Sequence, residues 1–94
     1  MSDTQVTKND DRNRFEIHTD DGRLAGFTQY VAGDGVRDFV HTVVKDEFEG
    51  QGIGGKLARA ALDQTRAEGL KVIATCPFIK GWIGKHPDYQ DLLA

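Results

Sequence analysis

Apolar residues recur along this chain first with a period of two and then with a helical period. "RFEIHT" alternates Phe15 and Ile17 with Glu16 and His18, a strand with one wet face. The Asp-Gly step in "DDGR", Asp20 to Arg23, predicts a turn, and "LAGFTQYVA" resumes the alternation as a second strand. A further turn at "GDG", Gly33 to Gly35, leads into "VRDFVHTVV". Three strands joined by tight turns predict an antiparallel meander. Strict alternation in the third places Phe39, His41 and Val43 on one face and Val40, Thr42 and Val44 on the other.

The period then changes. After "KDEFEGQGIGG", Ile53, Leu57, Ala61 and Thr65 line one stripe, widened by Ala58 and Leu62, with Lys56, Arg59, Asp63, Arg66 and Glu68 largely off it. That is an amphipathic helix, and Gly69 is placed to end it. "LKVIATC" reads as a short buried strand, parallel to the third because a helix intervenes. Pro77 suits the first turn of a second helix, "PFIKGWIGKH", capped by Cys76. The predicted order is β-β-β-α-β-α, an α+β domain over residues 12–94. Residues 1–11, polar and without periodicity, read as a flexible tail.

Composition narrows the function. With 94 residues the chain makes one domain; 38% hydrophobic and 29% charged residues suit a globular protein. A net charge of −3 argues against nucleic acid as a partner. No apolar run is long enough to span a membrane, and the polar N-terminus lacks the apolar core of a secretory signal, so the expected location is cytoplasmic. A single cysteine, Cys76, excludes an internal disulfide and a cysteine-based zinc cluster, and no metal site is expected.

The chemistry concentrates in "EGQGIGGKLARAAL", residues 49 to 62. Gly50, Gly52 and Gly55 spell the dinucleotide fingerprint, but an antiparallel meander precedes them and no acidic residue ends the next strand. Gly50 to Lys56 spells most of a P-loop, but Leu57 stands where magnesium needs a hydroxyl. Read from Glu49, the segment is similar to the R/Q-x-x-G-x-G/A loop of acetyl-CoA-dependent N-acetyltransferases. A glycine turn opening a helix bares backbone N–H groups at the positive end of the helix dipole, which suits a pyrophosphate without any metal.

"HTVVKDEFEGQGIGGKLARAAL", "CPFIKGW" and "HPDYQDLL" together resemble the GCN5-related N-acetyltransferase superfamily, in particular its small, single-domain YjdJ-like branch. The resemblance implies a mixed, mainly antiparallel sheet that splays open to admit acetyl-CoA as co-substrate, and transfer of its acetyl group to a primary amine, on a small molecule or on a protein. It further implies that Val43 and Val44 pair with the pantetheine arm and that Gln51, Gly52, Ile53, Gly54 and Gly55 take the pyrophosphate. Lys56 and Arg59, one turn into the helix, are placed to reach outer phosphates. Two departures stand out: Glu49 replaces the usual Arg or Gln, and Phe78 and Trp82 bring no hydroxyl where a tyrosine acid is usual. The helices that normally form the acceptor site are also missing, which leaves room for a homodimer to complete it.

Cys76, at a strand tip and a helix start, is the candidate nucleophile, because a helix N-terminus favours the thiolate. His41 is the candidate base for deprotonating the amine, by its ordinary pKa. Glu47 and His86 are weaker candidates. The contrasting reading is a CoA-binding module that docks or regulates a partner without transfer.

Overall fold

A computed structural model describes residues 4–94. Five strands form one sheet in chain order: β1 (Thr4–Asn9), β2 (Arg14–Thr19), β3 (Leu24–Ala32), β4 (Val36–Val44) and β5 (Lys71–Ala74). The first four run antiparallel, and β5 adds parallel to β4 after the crossover helix α1 (Ile53–Ala67). Helix α2 (Pro77–Gly84) follows, and a 3-10 segment, Pro87–Leu92, closes the chain. The three-strand meander, the crossover and the second helix are therefore present as the pattern predicts.

The N-terminus differs from the pattern. Residues 4–9 form β1 rather than a tail, paired antiparallel with β2 from Thr4↔Thr19 to Asn9↔Arg14. As an edge strand β1 buries only part of Val6 against the core, so its sequence carries almost no apolar signal. The first three residues of the expected tail lie outside the described residues.

One apolar cluster holds the domain together. Phe15, Ile17, Tyr30, Phe39 and Val72 from the sheet pack against Ile53, Leu57, Ala58, Ala61 and Leu62 of α1, Ile79 and Ile83 of α2, and Tyr89 and Leu92. Both helices thus cover the same face. The strand residues between these, such as Gln29, Val31 and Ile73, are exposed on a face that no helix covers among the described residues.

Arg37 is the unexpected member of the covered face. It is 4% exposed, donates to Thr65 Oγ1 at 3.0 Å and to Glu68 Oε1 at 2.8 Å, and lies over the Tyr30 ring at 4.6 Å. A buried guanidinium needs such partners for its charge. Here they pin the C-terminal turn of α1 to β4.

A β-bulge changes the phase of β4. Gln29 pairs with His41 but Tyr30 pairs with Phe39, so Val40 is the extra residue. Strict alternation would put Phe39 and His41 on one face. With the bulge, Phe39 and Thr42 share the helix-covered face and His41 turns outward.

Candidate functional site

The sheet splays at the end of β4. Strand β5 pairs only with Val36 to Phe39, and the last bond on that side runs from the Cys76 amide to the Phe39 carbonyl at 2.8 Å. Beyond it the chain turns into α2, because Pro77 cannot donate to the ladder and its φ suits a first helical turn. Among the described residues, positions 40–44 keep β3 on one side and have no strand on the other. Successive residues of a strand aim their amides to opposite sides, so one of Val43 and Val44 faces this open edge.

At the mouth of the splay stands the start of α1. Gly50 and Gly52 have φ of 80° and 72°, a left-handed geometry that disfavours side chains, and Gly52 is the N-cap without any capping side chain. Among the described residues, no amide from Gly50 to Gly55 donates to another backbone group; the first bond is Lys56 N–H to the Gly52 carbonyl, 3.1 Å. These bare donors and the dipole of a 15-residue helix make the turn receptive to an anion.

The predicted phosphate residues divide into two kinds. Gln51 and Gly52 are exposed in the turn, whereas Ile53 is buried and anchors the helix start in the core. Gly54 and Gly55 are already helical and are half covered by α2. A Cβ on Gly54 would meet the Phe78 ring at 2.7 Å, and one on Gly55 would lie 3.7 Å from Trp82 Nε1. Their smallness serves helix packing as well as any ligand. Lys56 uses its amide inside the helix and leaves its exposed side chain at the mouth. Arg59 is engaged elsewhere, donating to Tyr89 Oη at 3.1 Å and lying 5.4 Å from the centroids of both Trp82 and Tyr89.

Cys76 lies at the base of the splay, 4% exposed, as the N-cap residue of α2. Its thiol donates to Thr42 Oγ1 at 3.3 Å, and Thr42 Oγ1 lies 2.9 Å from Thr28 Oγ1. The sequence reading did not single out these threonines. A threonine directly across from another on neighbouring strands is their only signal, and it needs the register to be known.

His41 is not beside the thiol. It immediately precedes Thr42 in β4 and is exposed on the helix-free face, with its ring 6.3 Å from that of Phe27. The bulge at Val40 does not alter this separation, since Thr42 and His41 are adjacent residues of one strand. The two weaker base candidates are also occupied. Glu47 pairs with Arg23 at 3.5 Å, and His86 stacks on Trp82 at 3.7 Å with its Nδ1 2.7 Å from the Trp82 carbonyl oxygen.

A split β4 edge, bare amides at the start of the crossover helix and a following helix that caps the split are the geometry expected from the motifs. The family model for GCN5-related N-acetyltransferases matches residues 14–92. The chain belongs to that family. A GCN5-like protein from Staphylococcus aureus, solved in solution, superposes with a TM-score of 0.73 at 33% identity, covering 96% of this chain and 87% of that one. A ribosomal-protein-alanine N-acetyltransferase from Brucella melitensis shares the fold, with a TM-score of 0.54 at 19% identity over 90% of this chain and 66% of that one. Protein NATD1 from Gallus gallus and from Homo sapiens are each 41% identical over 59 residues, 63% of this chain. The chain spans about half the length of these curated relatives, 53% and 51% respectively. Among the described residues, no helix is long and apolar enough to cross a membrane.

Proposed function

We propose that this domain binds acetyl-CoA and transfers its acetyl group to a primary amine. The observation that carries the reading is the unpaired half of β4 ending at Cys76, with the bare amides of Gln51 to Gly55 at its mouth. The pyrophosphate takes those amides, and Lys56 adds a positive charge. The pantetheine pairs along residues 40–44 as an added strand, as extended ligands do at open sheet edges. That threading delivers the thioester to the level of Thr42 and Cys76.

There the sulfur of Cys76 attacks the acetyl carbonyl carbon, the bond from that carbon to the CoA sulfur breaks, and the thiol proton leaves with CoA. The hydroxyl pair suits this step. Thr42 can rotate from accepting the S–H to donating toward the sulfur as negative charge forms, with Thr28 donating in turn to Thr42. The amine nitrogen then attacks the acetyl group on Cys76 and the thiol is regenerated. His41 receives the amine proton from the helix-free face, through which the acceptor reaches the open edge. Glu49 is exposed on the turn, where water can solvate its acidic charge.

The separation of His41 from Cys76 also favours a second reading, a CoA-binding module without turnover. Amide NMR with acetyl-CoA tests what the two share: shifts should concentrate at Val43, Val44, Gln51 to Gly55 and Cys76. Unmoved peaks at millimolar ligand would sink both. Turnover with a panel of amines then separates them. The transfer reading expects Cys76→Ala to abolish turnover with binding retained, and His41→Gln to lower it by ~10² or more. Tight binding with no turnover on any amine favours the binding module.

A further inference from the structure

On the helix-free face of the sheet, Asp38 stands in a row with Val31 and Ile73 across β4, β3 and β5. Its Oδ1 is buried and has no hydrogen-bond partner among the described residues. Val31 and Ile73, on either side, are 57% and 41% exposed, so the carboxylate lies between two apolar side chains that open to solvent. A buried acceptor left unmatched keeps the full cost of its desolvation, which a donor would offset. Glu16, the acid on β2 of the same face, is already engaged. It accepts from Arg14 Nε at 2.7 Å and from Asn9 Nδ2 at 3.0 Å, with His18 3.8 Å away.

The bulge decides what Asp38 meets along its own strand. In a regular strand Asp38 and His41, three residues apart, would point to opposite faces. Because Val40 is the extra residue, Asp38 pairs with Val31 and His41 with Gln29, two positions apart on β3. Both therefore stand on the helix-free face, about 7 Å apart along the strand. His41 borders the open edge, whereas Asp38 lies beside β5 just before the splay.

We propose that Asp38 anchors a second ammonium of the acceptor, which makes the preferred acceptor a small aliphatic diamine. The proposal rests on the transfer reading, in which His41 takes the proton of the reacting amine. One nitrogen stays protonated on Asp38, where Val31 and Ile73 exclude water and strengthen the pairing. The other reaches His41 and the open edge, and the spacing of about 7 Å fits a chain of about four or five methylene groups. A monoamine has nothing to place on Asp38. A lysine within a peptide would bring its backbone amides against the apolar row, where they would lose water without gaining a partner.

The test compares 1,4-diaminobutane with butylamine on the wild-type chain and on Asp38→Asn. In NMR of the chain with CoA, which has no acetyl group to transfer, the diamine should shift the amide signals of Val31, Asp38 and Ile73, and butylamine should not. With acetyl-CoA, the wild type should use the diamine at least about tenfold better in kcat/KM, as one charge-assisted hydrogen bond implies. Asp38→Asn should bring that ratio close to one. It should melt no lower than the wild type, because it takes the charge from an unmatched buried oxygen. A diamine that moves none of these signals, equal kcat/KM for the two amines, or a preference that survives Asp38→Asn would overturn the anchor, whether or not monoamines are acetylated. Diamine shifts at Asp38 without turnover of any amine would keep the anchor and sink the transfer reading instead.

Discussion

Between β3 and β4 the backbones come so close at Gly26 that a Cβ there would lie 2.5 Å from the Val43 carbonyl oxygen. A glycine within a strand often marks such an approach, and here the neighbour is the edge assigned to the pantetheine. Gly26→Ala should therefore force β4 outward, cost about 1–3 kcal/mol and displace the Val43 and Val44 amide signals. Urea unfolding with NMR of the free protein checks both effects; an unshifted Val43 signal would refute the link. Cys76 shows the same dependence on surroundings. Its place at a strand tip was legible from the sequence, but the Thr42–Thr28 hydroxyl pair that faces it depends on cross-strand register. His41 is an imidazole that could serve as a base, yet the pleat sends it to the opposite face from the thiol.

Among the elements, the crossover helix and its stripe were plain from the 3.6-residue period, and Ile53, Leu57, Ala58, Ala61, Leu62 and Thr65 are buried as the stripe predicts. The 3-10 segment was visible only as an apolar chain end. It docks on α1 through Tyr89, which donates to Asp63 Oδ1 at 2.7 Å and accepts from Arg59, and through Arg66, which pairs with Asp91 at 2.8 Å. Burial first, and then the bond to Asp63, raise the Tyr89 pKa above its usual value. Tyr89→Phe keeps the ring and removes both bonds, so it should cost about 1–2 kcal/mol. Hydrogen exchange should then quicken at Leu93 and Ala94, whose amides bond to Gln90 and Val72. Unchanged exchange there would mean that the ring alone docks the segment. Strand β1 escaped the pattern because an edge strand buries too little to require alternation.

For the whole molecule, the Arg37–Glu68 contact couples the sheet to the end of α1 and makes stability respond to acid. The hydrogen bond from Arg37, then that from Gln64, hold the Glu68 carboxyl down at about 2 from an ordinary 4.5. A sealed site would give such a shift about 3 kcal/mol; partial exposure of the carboxylate reduces this to about 1 kcal/mol. The folded pKa lies below the unfolded one, so this stabilisation is fully present above about pH 4.5 and is lost as pH falls toward 2. Between pH 7 and pH 3, the wild type should lose most of that increment and Glu68→Gln should not. Equal losses in urea unfolding of the two proteins would remove Glu68 as a source of acid sensitivity.

What the sequence determined by itself is the local content: the meander, the crossover helix, the glycine turn and the placing of Cys76 between a strand and a proline-started helix. Short-range periodicity and backbone preference set these, because each depends on residues a few positions apart. Only the tertiary structure decided which groups meet. The bulge at Val40, the early end of β5 and the burial of Arg37 fix the faces and the open edge. Each follows from packing strands distant in sequence into one sheet, where a shift of one residue exchanges the two faces.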